Sequence, residues 1–337
     1  ADGTNLTNAA LNQAPVITRS WFHTGAYLQE ANILDQFATE YWYEEMTRQG
    51  YPVTSYEVPL PPARIVPDDA INSGYVTGIS PEERREAMRA CKSMALRTEV
   101  FAQEGSSEKQ LTPYTVGTHN CHIELVQPKG QNNYAVFCAK ESEAITYSYE
   151  RNTADPRMAH TLNLETDLYG NVLRTASVVY PRINPDSSLP TETQAAQNKT
   201  AIIVTENLYT NDVSGSDTYR LRLPFETRSW EFTNISKSGT LYSIAELEYA
   251  SGIVTEIPYE DLSGGSSASK RLIEHAQSLF YLDDLSGAAG AGVMESLGIP
   301  YENYQLAYTN DASTSDLVNH IFGTKVGHPE LINGKYE

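Results

Sequence analysis

One stretch, Leu162–Pro181, restricts the folds open to this chain more than any other. In its first half, leucines alternate with polar residues, which is the period of a half-buried strand. Gly170 and Asn171 then supply a turn, because these two residue types most readily take a positive φ. The apolar, β-branched run Val172–Tyr180 follows as a second strand. The stretch therefore predicts a β-hairpin, and none of its side chains suggests catalysis.

Strand patterns continue on both sides of this hairpin. Upstream, residues alternate in character over Thr115–Val126, Tyr134–Lys140 and Ala144–Glu150. With the hairpin, these runs predict a continuous antiparallel meander over residues 111–181. Downstream, the same reasoning predicts shorter strands at Ala201–Tyr209, Tyr219–Leu223, Arg228–Asn234 and Gln305–Thr309.

Helix signals lie mainly outside the meander. The segment Ser80-Pro81-Glu82-Glu83 has the form of a capping box, and Met88, Cys91, Ala95 and Thr98 follow at helical spacing before Gly105. Ser243–Glu246 is a second capping box, which opens a short helix to Tyr249. Amphipathic spacing also predicts helices at Tyr27–Arg48, Ser269–Leu282 and Ser315–Phe322.

These patterns predict a β-rich α+β fold: an antiparallel strand meander with several peripheral helices. The predicted organisation is a flexible tail (1–19), a helical and Pro-rich connecting region (20–110), the meander (111–181), a loop (182–199) and a mixed strand and helix region (200–337). The chain starts at Ala rather than Met, and we expect it to be a fragment of a larger protein.

Charge and composition exclude several classes of partner. The formal net charge is −19, whereas nucleic-acid binding needs clustered Lys and Arg, so we expect no nucleic-acid partner. No run approaches the roughly 18 apolar residues that suggest a membrane span, and no signal peptide is visible. Three cysteines are too few for a disulfide-built fold, and Cys91 is interpreted as a small buried hydrophobic residue rather than a reactive thiol.

The segment His119-Asn120-Cys121-His122 contains three possible metal ligands. In an alternating strand, His119 and Cys121 share one face and His122 lies on the other, so only two ligands converge where a structural zinc site needs four. No second Cys/His cluster supplies the remainder. We therefore predict no metal ligand and no cofactor.

Other candidate sites also lack the required context. The glycines of Gly287–Gly292 follow a predicted helix instead of a strand that opens one, so a loop is favoured over a phosphate cradle. Adjacent carboxylates point apart and do not form an acid/base pair. The three such pairs are Glu44-Glu45, Asp68-Asp69 and Asp283-Asp284. We therefore predict no catalytic and no cofactor-binding residue.

Longer blocks of sequence identify a protein family more specifically than these short motifs do. Within residues 149–174, Tyr149–Asn152, Ala154–His160, Leu164–Asp167 and Tyr169–Arg174 resemble a block in the TcB components of bacterial insecticidal toxin complexes, which are related to Rhs/YD-repeat proteins. Further resembling blocks follow the same order as in that family: Ser20–Ala26, Glu82–Arg97, Glu99–Phe101, Pro113-Tyr114 to Gln127–Gly130, Tyr219–Pro224 with Glu226–Arg228, and Arg271–His275 with Asp283–Gly287. The resemblance covers roughly residues 20–310, and it is to the middle-to-late section of a TcB chain only.

The resemblance implies a structural role. TcB proteins carry a β-propeller and a spiral of Rhs/YD-type strands, and with a TcC partner they form a hollow shell around a cytotoxic domain. The propeller gates the exit of the cytotoxic domain into the TcA channel. This chain lacks propeller repeats and a long tandem YD array, so neither the gate nor the TcC autoproteolytic site transfers to any residue here. The expected function is a section of the shell wall of a secreted bacterial toxin complex, without enzyme activity.

Two alternatives remain open at this point. The first is an extracellular carbohydrate- or receptor-binding module of a toxin, in which Trp21, Trp42 and Trp230 stack on sugars. The second is an enzyme whose catalytic groups converge only in three dimensions.

Overall fold

Strands form most of the regular structure of the chain. The computed structural model describes residues 14–26, 34–61, 63–67, 79–103, 107–259, 261–262, 264, 266–306, 331–332 and 335–336. It divides into two units, Ala1–Leu162 with Val178–Thr200, and Asn163–Ser177 with Ala201–Glu337. The predicted class is confirmed, since a mostly antiparallel sheet dominates and the helices are short.

The described strands and helices have the following bounds. The strands are β1 (Val16–Phe22), β2 (Arg64–Pro67), β3 (Ala95–Ala102), β4 (Thr115–Gln127), β5 (Val136–Ser148), β6 (Arg157–Thr166), β7 (Val172–Val179), β8 (Ala201–Tyr209), β9 (Val213–Ser214), β10 (Tyr219–Arg220), β11 (Pro224–Thr233), β12 (Thr255–Ile257), β13 (Ser269–Phe280), β14 (Pro300–Gln305), β15 (Leu331–Ile332) and β16 (Lys335–Tyr336). The α-helices are α1 (Trp42–Arg48), α2 (Pro81–Ala90), α3 (Ser107–Leu111), α4 (Thr191–Gln197) and α5 (Ile244–Ile253).

The first unit is built on an antiparallel sheet in the order β1-β3-β4-β5-β6. Strand β4 is long enough to serve two neighbours on one side, with β3 along its first half and β2, in parallel, along its second half. Its other side pairs with β5 over nearly the whole length. A bulge at Ser142 of β5 shifts this register between Asn120 and Cys121.

Helix α2 covers part of this sheet. The Ser80 hydroxyl accepts a hydrogen bond from the Glu83 backbone N–H, and the Glu83 carboxylate accepts one from the Ser80 N–H, so the predicted capping box is confirmed. The helix buries Ala87 and Met88 completely. These two residues form a core cluster with Cys91, Leu96, Cys121 and Ile123.

The hairpin predicted from the sequence is confirmed as β6 and β7. The burial of β6 alternates along the strand, as its leucine pattern requires. At the turn, the Asp167 carboxylate accepts hydrogen bonds from the backbone N–H groups of Tyr169 and Asn171, each over 2.9 Å. Gly170 has a φ of +86°, which glycine adopts without the steric penalty of other residues.

The second unit has its own strand order, β8-β11-β13-β12, with β14 also on β13. The pairs β8-β11, β11-β13 and β13-β14 are antiparallel, and β12 runs parallel to β13. Pairs β9-β10 and β15-β16 form two small sheets of their own. Helix α5 begins with the second predicted capping box at Ser243, and it continues to Ile253 rather than ending at Tyr249.

The helix predicted at Ser269–Leu282 is wrong, because this segment is strand β13. Leu272, Ala276 and Phe280 are four residues apart, a spacing that fits one face of a helix and also one face of a strand. Pairing with β11 on one side and β14 on the other gives the backbone N–H and C=O groups their partners. Hydrogen bonding to these neighbouring strands therefore makes the segment a strand instead of a helix.

Two other helix predictions were too long. Helix α2 ends at Ala90, and the predicted helical residues Ala95 and Thr98 lie in β3. Ser93, with a φ of +71°, breaks the helical backbone between them. Of the helix predicted at Tyr27–Arg48, residues 27–33 lie outside the described part, and the remainder contains a 3-10 turn followed by α1.

Smaller corrections concern the ends of elements. Residues 16–19 of the predicted tail lie in β1, and the predicted loop 182–199 contains α4. The strands predicted at Tyr134–Lys140 and Ala144–Glu150 are one strand, β5. The strand predicted at Tyr219–Leu223 is only β10, Arg228–Asn234 belongs to the longer β11, and the strand predicted at Gln305–Thr309 ends at Gln305 in β14. The helix predicted at Ser315–Phe322 lies outside the described residues.

Candidate functional site

The possible metal ligands of β4 make separate pairwise contacts. Nδ1 of His119 lies 2.6 Å from Oε1 of Glu141, and Cys121 packs in the same buried core cluster as Cys91. Burial lowers the pKa of His122. Across the described ranges, no group of three or more His, Cys, Asp or Glu side chains is arranged to hold a metal ion.

The three tryptophans considered for sugar stacking each donate an indole N–H to a carboxylate. The pairs are Trp21 with Glu40 at 2.9 Å, Trp42 with Glu57 at 2.7 Å, and Trp230 with Glu206 at 3.1 Å. Trp42 is 1% exposed and Trp230 is 4% exposed. These two rings are therefore packing residues whose faces are not accessible to a sugar.

The adjacent carboxylates serve as anchors for the local backbone. Asp283 accepts hydrogen bonds from the N–H groups of Ser296 and Leu297, and Asp284 accepts one from Ser286. The Ser296 hydroxyl is the largest cause of the lowered pKa of Asp283. Glu45 accepts a hydrogen bond from the side chain of Gln49 in the same segment, and the pair Asp68-Asp69 lies outside the described residues.

Gly287–Gly292 lies in the connection between β13 and β14 and is not followed by a helix among the described residues. The carbonyl of Gly287 accepts a hydrogen bond from the N–H of Leu282, and the carbonyl of Gly292 accepts one from Asn211. Backbone carbonyls do not bind phosphate, so these contacts favour a structural loop.

A buried charged cluster in the first unit is the most developed polar arrangement in the described part of the chain. Arg97 donates to Glu57 from Nη1 over 2.6 Å and from Nη2 over 3.0 Å. Its Nε donates to Glu99 over 2.7 Å. Trp42 and Tyr149 also donate to Glu57, over 2.7 and 3.1 Å. We call these five residues the Arg97 cluster.

Four different elements place the members of the Arg97 cluster. Arg97 and Glu99 are two residues apart on β3, so strand alternation puts both on one face. Trp42 begins α1, and Tyr149 directly follows β5. Glu57 comes from the Pro-rich segment, which runs past the sheet without regular secondary structure. The cluster therefore fastens that segment to the sheet.

Burial and mutual attraction compete within the Arg97 cluster. Burial opposes the charge of Arg97, but the Glu57 and Glu99 carboxylates outweigh it and raise the Arg97 pKa above its ordinary value. Burial raises the pKa of Glu99, whose second oxygen has no hydrogen-bond partner among the described residues. Burial also raises the pKa of Tyr149, with the Glu57 carboxylate as the next cause.

An open cleft of about 240 Å³ lies beside the Arg97 cluster. Its wall includes Tyr41 and Tyr43, whose ring centroids lie 4.3 and 5.9 Å from the Arg97 guanidinium carbon. Burial raises the pKa of Tyr41 to about 12, so its hydroxyl stays neutral near pH 7. All three guanidinium nitrogens of Arg97 already donate to carboxylates, so Arg97 is not free to bind an anionic ligand.

Sequence reasoning did not find the Arg97 cluster. Its members are separated by up to 107 positions between Trp42 and Tyr149, and no local spacing connects them. The available signal was a charged pair, Arg97 and Glu99, on one face of a segment rich in apolar and β-branched residues. Because a helix was predicted over this segment, the alternation typical of a strand was not recognised there.

A second buried polar group joins β4, β5 and β6. Nε2 of His160 lies 3.1 Å from Oε2 of Glu143, and its Nδ1 lies 3.1 Å from the Tyr180 hydroxyl. Asn120 donates to the other oxygen of Glu143 over 3.0 Å. His160 is 1% exposed, so this group satisfies buried polar atoms instead of meeting a ligand.

Residues 86–222 match the protein family described as "Insecticide toxin TcdB middle/C-terminal region". The chain is also similar to solved structures of toxin complexes. It aligns with the crystal structure of TcdB2-TccC3-Cdc42 at 19% identity over 94% of this chain and 14% of that one, with a TM-score of 0.65. The resemblance to TcB components is confirmed.

Other toxin structures give similar alignments. The crystal structure of TcdB2-TccC3-TEV aligns at 18% identity over 94% of this chain and 14% of that chain, with a TM-score of 0.66. The Photorhabdus luminescens Tc holotoxin pore with the mutation TccC3-D651A aligns at 17% identity over 97% and 15%, with a TM-score of 0.60. The chain thus spans about one seventh of the length of the chains it matches, and at these identities the alignments show the fold. No curated protein matches it.

Proposed function

We propose that this chain is a structural section of a toxin-complex B component, forming part of a hollow β-shell that encloses a cytotoxic effector. Its partners would be a TcC-type component and the enclosed toxin domain, with delivery through a TcA channel by way of the rest of the protein. The observation that carries the proposal is the alignment of 94% of the chain with a chain of TcdB2-TccC3.

The described residues support a wall rather than a catalytic centre. Strand β6 alternates buried residues such as Leu162 with exposed ones such as Thr161, so a single strand presents two different faces. The buried charges of the Arg97 cluster and of the Glu143 group are paired inside the first unit. We therefore propose a non-enzymatic role, without catalytic, cofactor-binding or metal-binding residues.

Secretion as part of a toxin complex belongs to the same proposal, as do the predicted domain limits apart from the tail and the loop corrected by β1 and α4. The charge of −19 supports partners other than nucleic acid. Within the ranges that the structure describes, every helix is too short or too polar to cross a membrane.

The test is a protease-protection experiment on the full-length protein, co-produced with its TcC-type component. Leu162→Asp places a charge in the fully buried face of β6, and we expect the effector in the complex to lose most of its resistance to proteinase K. Thr161→Asp changes the neighbouring exposed position and should keep the resistance. Circular dichroism of both variants reports whether the protein remains folded.

Unchanged protection in a folded Leu162→Asp complex would overturn the assignment of this section to the shell wall. Failure of the wild-type protein to assemble with the TcC-type component would overturn it as well. Glycan-array binding that is lost on Trp21→Ala would instead favour the carbohydrate-binding alternative, because Trp21 is the most exposed of the three tryptophans.

A further inference from the structure

Two of the three cysteines meet in the core of the first unit. Cys91 caps the C-terminal end of α2, Cys121 lies on β4, and both belong to the same buried cluster. Both also line the same small cavity, so the two side chains are neighbours in the core. Cys91 is buried, as the sequence predicts, but its neighbour is a second thiol, and a pair of thiols has chemistry that a lone one does not.

The two thiols are not equivalent. The interaction with Cys121, together with burial, raises the pKa of Cys91. The interaction with Cys91 lowers the pKa of Cys121, which favours the Cys121 thiolate. Cys121 is also the more exposed of the two, at 5% against 0% for Cys91, so we assign the attacking role to Cys121.

A small cavity of about 10 Å³ lies against both sulfur-bearing residues. That volume is about one water-sized sphere, so it admits only a molecule close to water in size and excludes a bulky disulfide reagent such as glutathione disulfide. His23 and His119 are among the other residues that line it.

His23 supplies an unsatisfied donor at this cavity. It is 2% exposed, and its Nδ1 accepts a hydrogen bond from the Gly25 N–H over 2.8 Å. Burial lowers the pKa of His23, so the ring is neutral and its proton lies on Nε2. Nε2 has no partner among the described residues. A small oxygen-containing molecule in the cavity would supply an acceptor.

We propose that Cys91 and Cys121 form a peroxide-sensitive dithiol that closes to an intramolecular disulfide. The Cys121 thiolate attacks one oxygen of hydrogen peroxide, the O–O bond breaks, and hydroxide leaves with Cys121 as the sulfenic acid. The Cys91 sulfur then attacks the Cys121 sulfur and displaces the hydroxyl group as water. In total, two thiols and one peroxide give one disulfide and two waters, so two electrons pass from sulfur to oxygen.

The test is peptide mapping of the full-length protein after treatment with hydrogen peroxide under native conditions. Free thiols are alkylated before digestion, and we expect a disulfide-linked peptide pair that contains Cys91 and Cys121. Cys138, on β5, is only partly buried and should stay alkylated. Cys138→Ser is the matched control, and it should leave the linked pair unchanged.

Two further variants identify the attacking sulfur. In Cys91→Ala, the sulfenic acid on Cys121 has no resolving thiol, so we expect about tenfold more dimedone labelling of Cys121 than in the wild type. Cys121→Ala should remove the disulfide and leave Cys91 without dimedone labelling. A thermal melt of each variant checks that it is folded.

The proposal would be overturned if peptide mapping of the peroxide-treated wild type shows no Cys91–Cys121 link, or shows a link that involves Cys138. Dimedone labelling of Cys91 instead of Cys121 would also overturn it. Because the first two are read from the wild-type protein, they decide the question even where an alanine variant does not fold.

Discussion

Arg97 and Glu57 form a two-bond ion pair across 40 positions of the sequence, with donor–acceptor distances of 2.6 and 3.0 Å. The Arg97 side chain is 3% exposed and that of Glu57 is 11% exposed. A buried pair of this kind adds little to stability by itself, because desolvation offsets much of the attraction. Removing one partner is costly, because the other charge then remains buried and unpaired.

We therefore expect Arg97→Met to lower the free energy of unfolding by about 3 kcal/mol, measured by urea denaturation. Arg48→Met is the matched control, since Arg48 pairs with Glu45 on the surface and its side chain is 61% exposed. Loss of this surface ion pair should lower the free energy of unfolding by at most about 0.5 kcal/mol. Equal effects of the two substitutions would contradict a structural role for the Arg97 cluster.

The capping box of α5 predicts a specific response to acid. Burial acts to raise the pKa of Glu246, but hydrogen bonds from Ser238 and Ser243 outweigh it and lower the pKa from 4.5 to about 2. The unfolded chain therefore takes up this proton first as the pH falls. The stability that Glu246 supplies is complete above about pH 4.5 and is lost between about pH 4.5 and pH 2.

Glu246→Gln should therefore destabilise the protein at pH 6 by about 1 kcal/mol, allowing for solvent screening, and by almost nothing near pH 2. Urea midpoints across this pH range measure the difference. Glu248→Gln on the same helix is the control with the opposite sign, because burial and Glu165 raise the pKa of Glu248. That substitution should stabilise the protein at pH 6, and a loss of stability there would contradict the assigned direction.

Two glycines of the second unit should respond to alanine in opposite directions. Gly264 has a φ of +65°, and a Cβ there would lie 2.7 Å from Oγ1 of Thr233. Gly264→Ala should cost about 2 kcal/mol or more, from backbone strain and the clash together. Gly252, in α5, has open space around its Cβ position, so Gly252→Ala should stabilise by up to about 1 kcal/mol. Differential scanning calorimetry measures both, and a neutral Gly264→Ala would contradict the packing at Thr233.

Elements with strong local signals were predictable from the sequence. Both capping boxes form where Ser80 and Ser243 predict them, because a cap involves only residues three positions apart. Strand β8 has the predicted bounds, and the hairpin turns at Gly170. For these elements, the local chemistry and the tertiary fold agree.

Strand β13 shows where local reasoning was insufficient. Its apolar residues fit either period, and the choice depended on hydrogen bonds to β11 and β14, which lie far away in the sequence. The end of α2 was misplaced for a related reason, since β3 gains its stability from pairing with β1 and β4. Pairing energy between distant strands has no signature in a short window of sequence.

The sequence by itself determined the class of fold, the hairpin at Leu162–Pro181, both helix caps and the resemblance to TcB components. Each rests on residues close together in the chain or on the order of whole blocks. The tertiary structure alone decided that Glu57 meets Arg97 and that Cys91 meets Cys121. Such contacts join residues brought together by sheet register and helix packing, and burial then sets the charge and reactivity of each side chain.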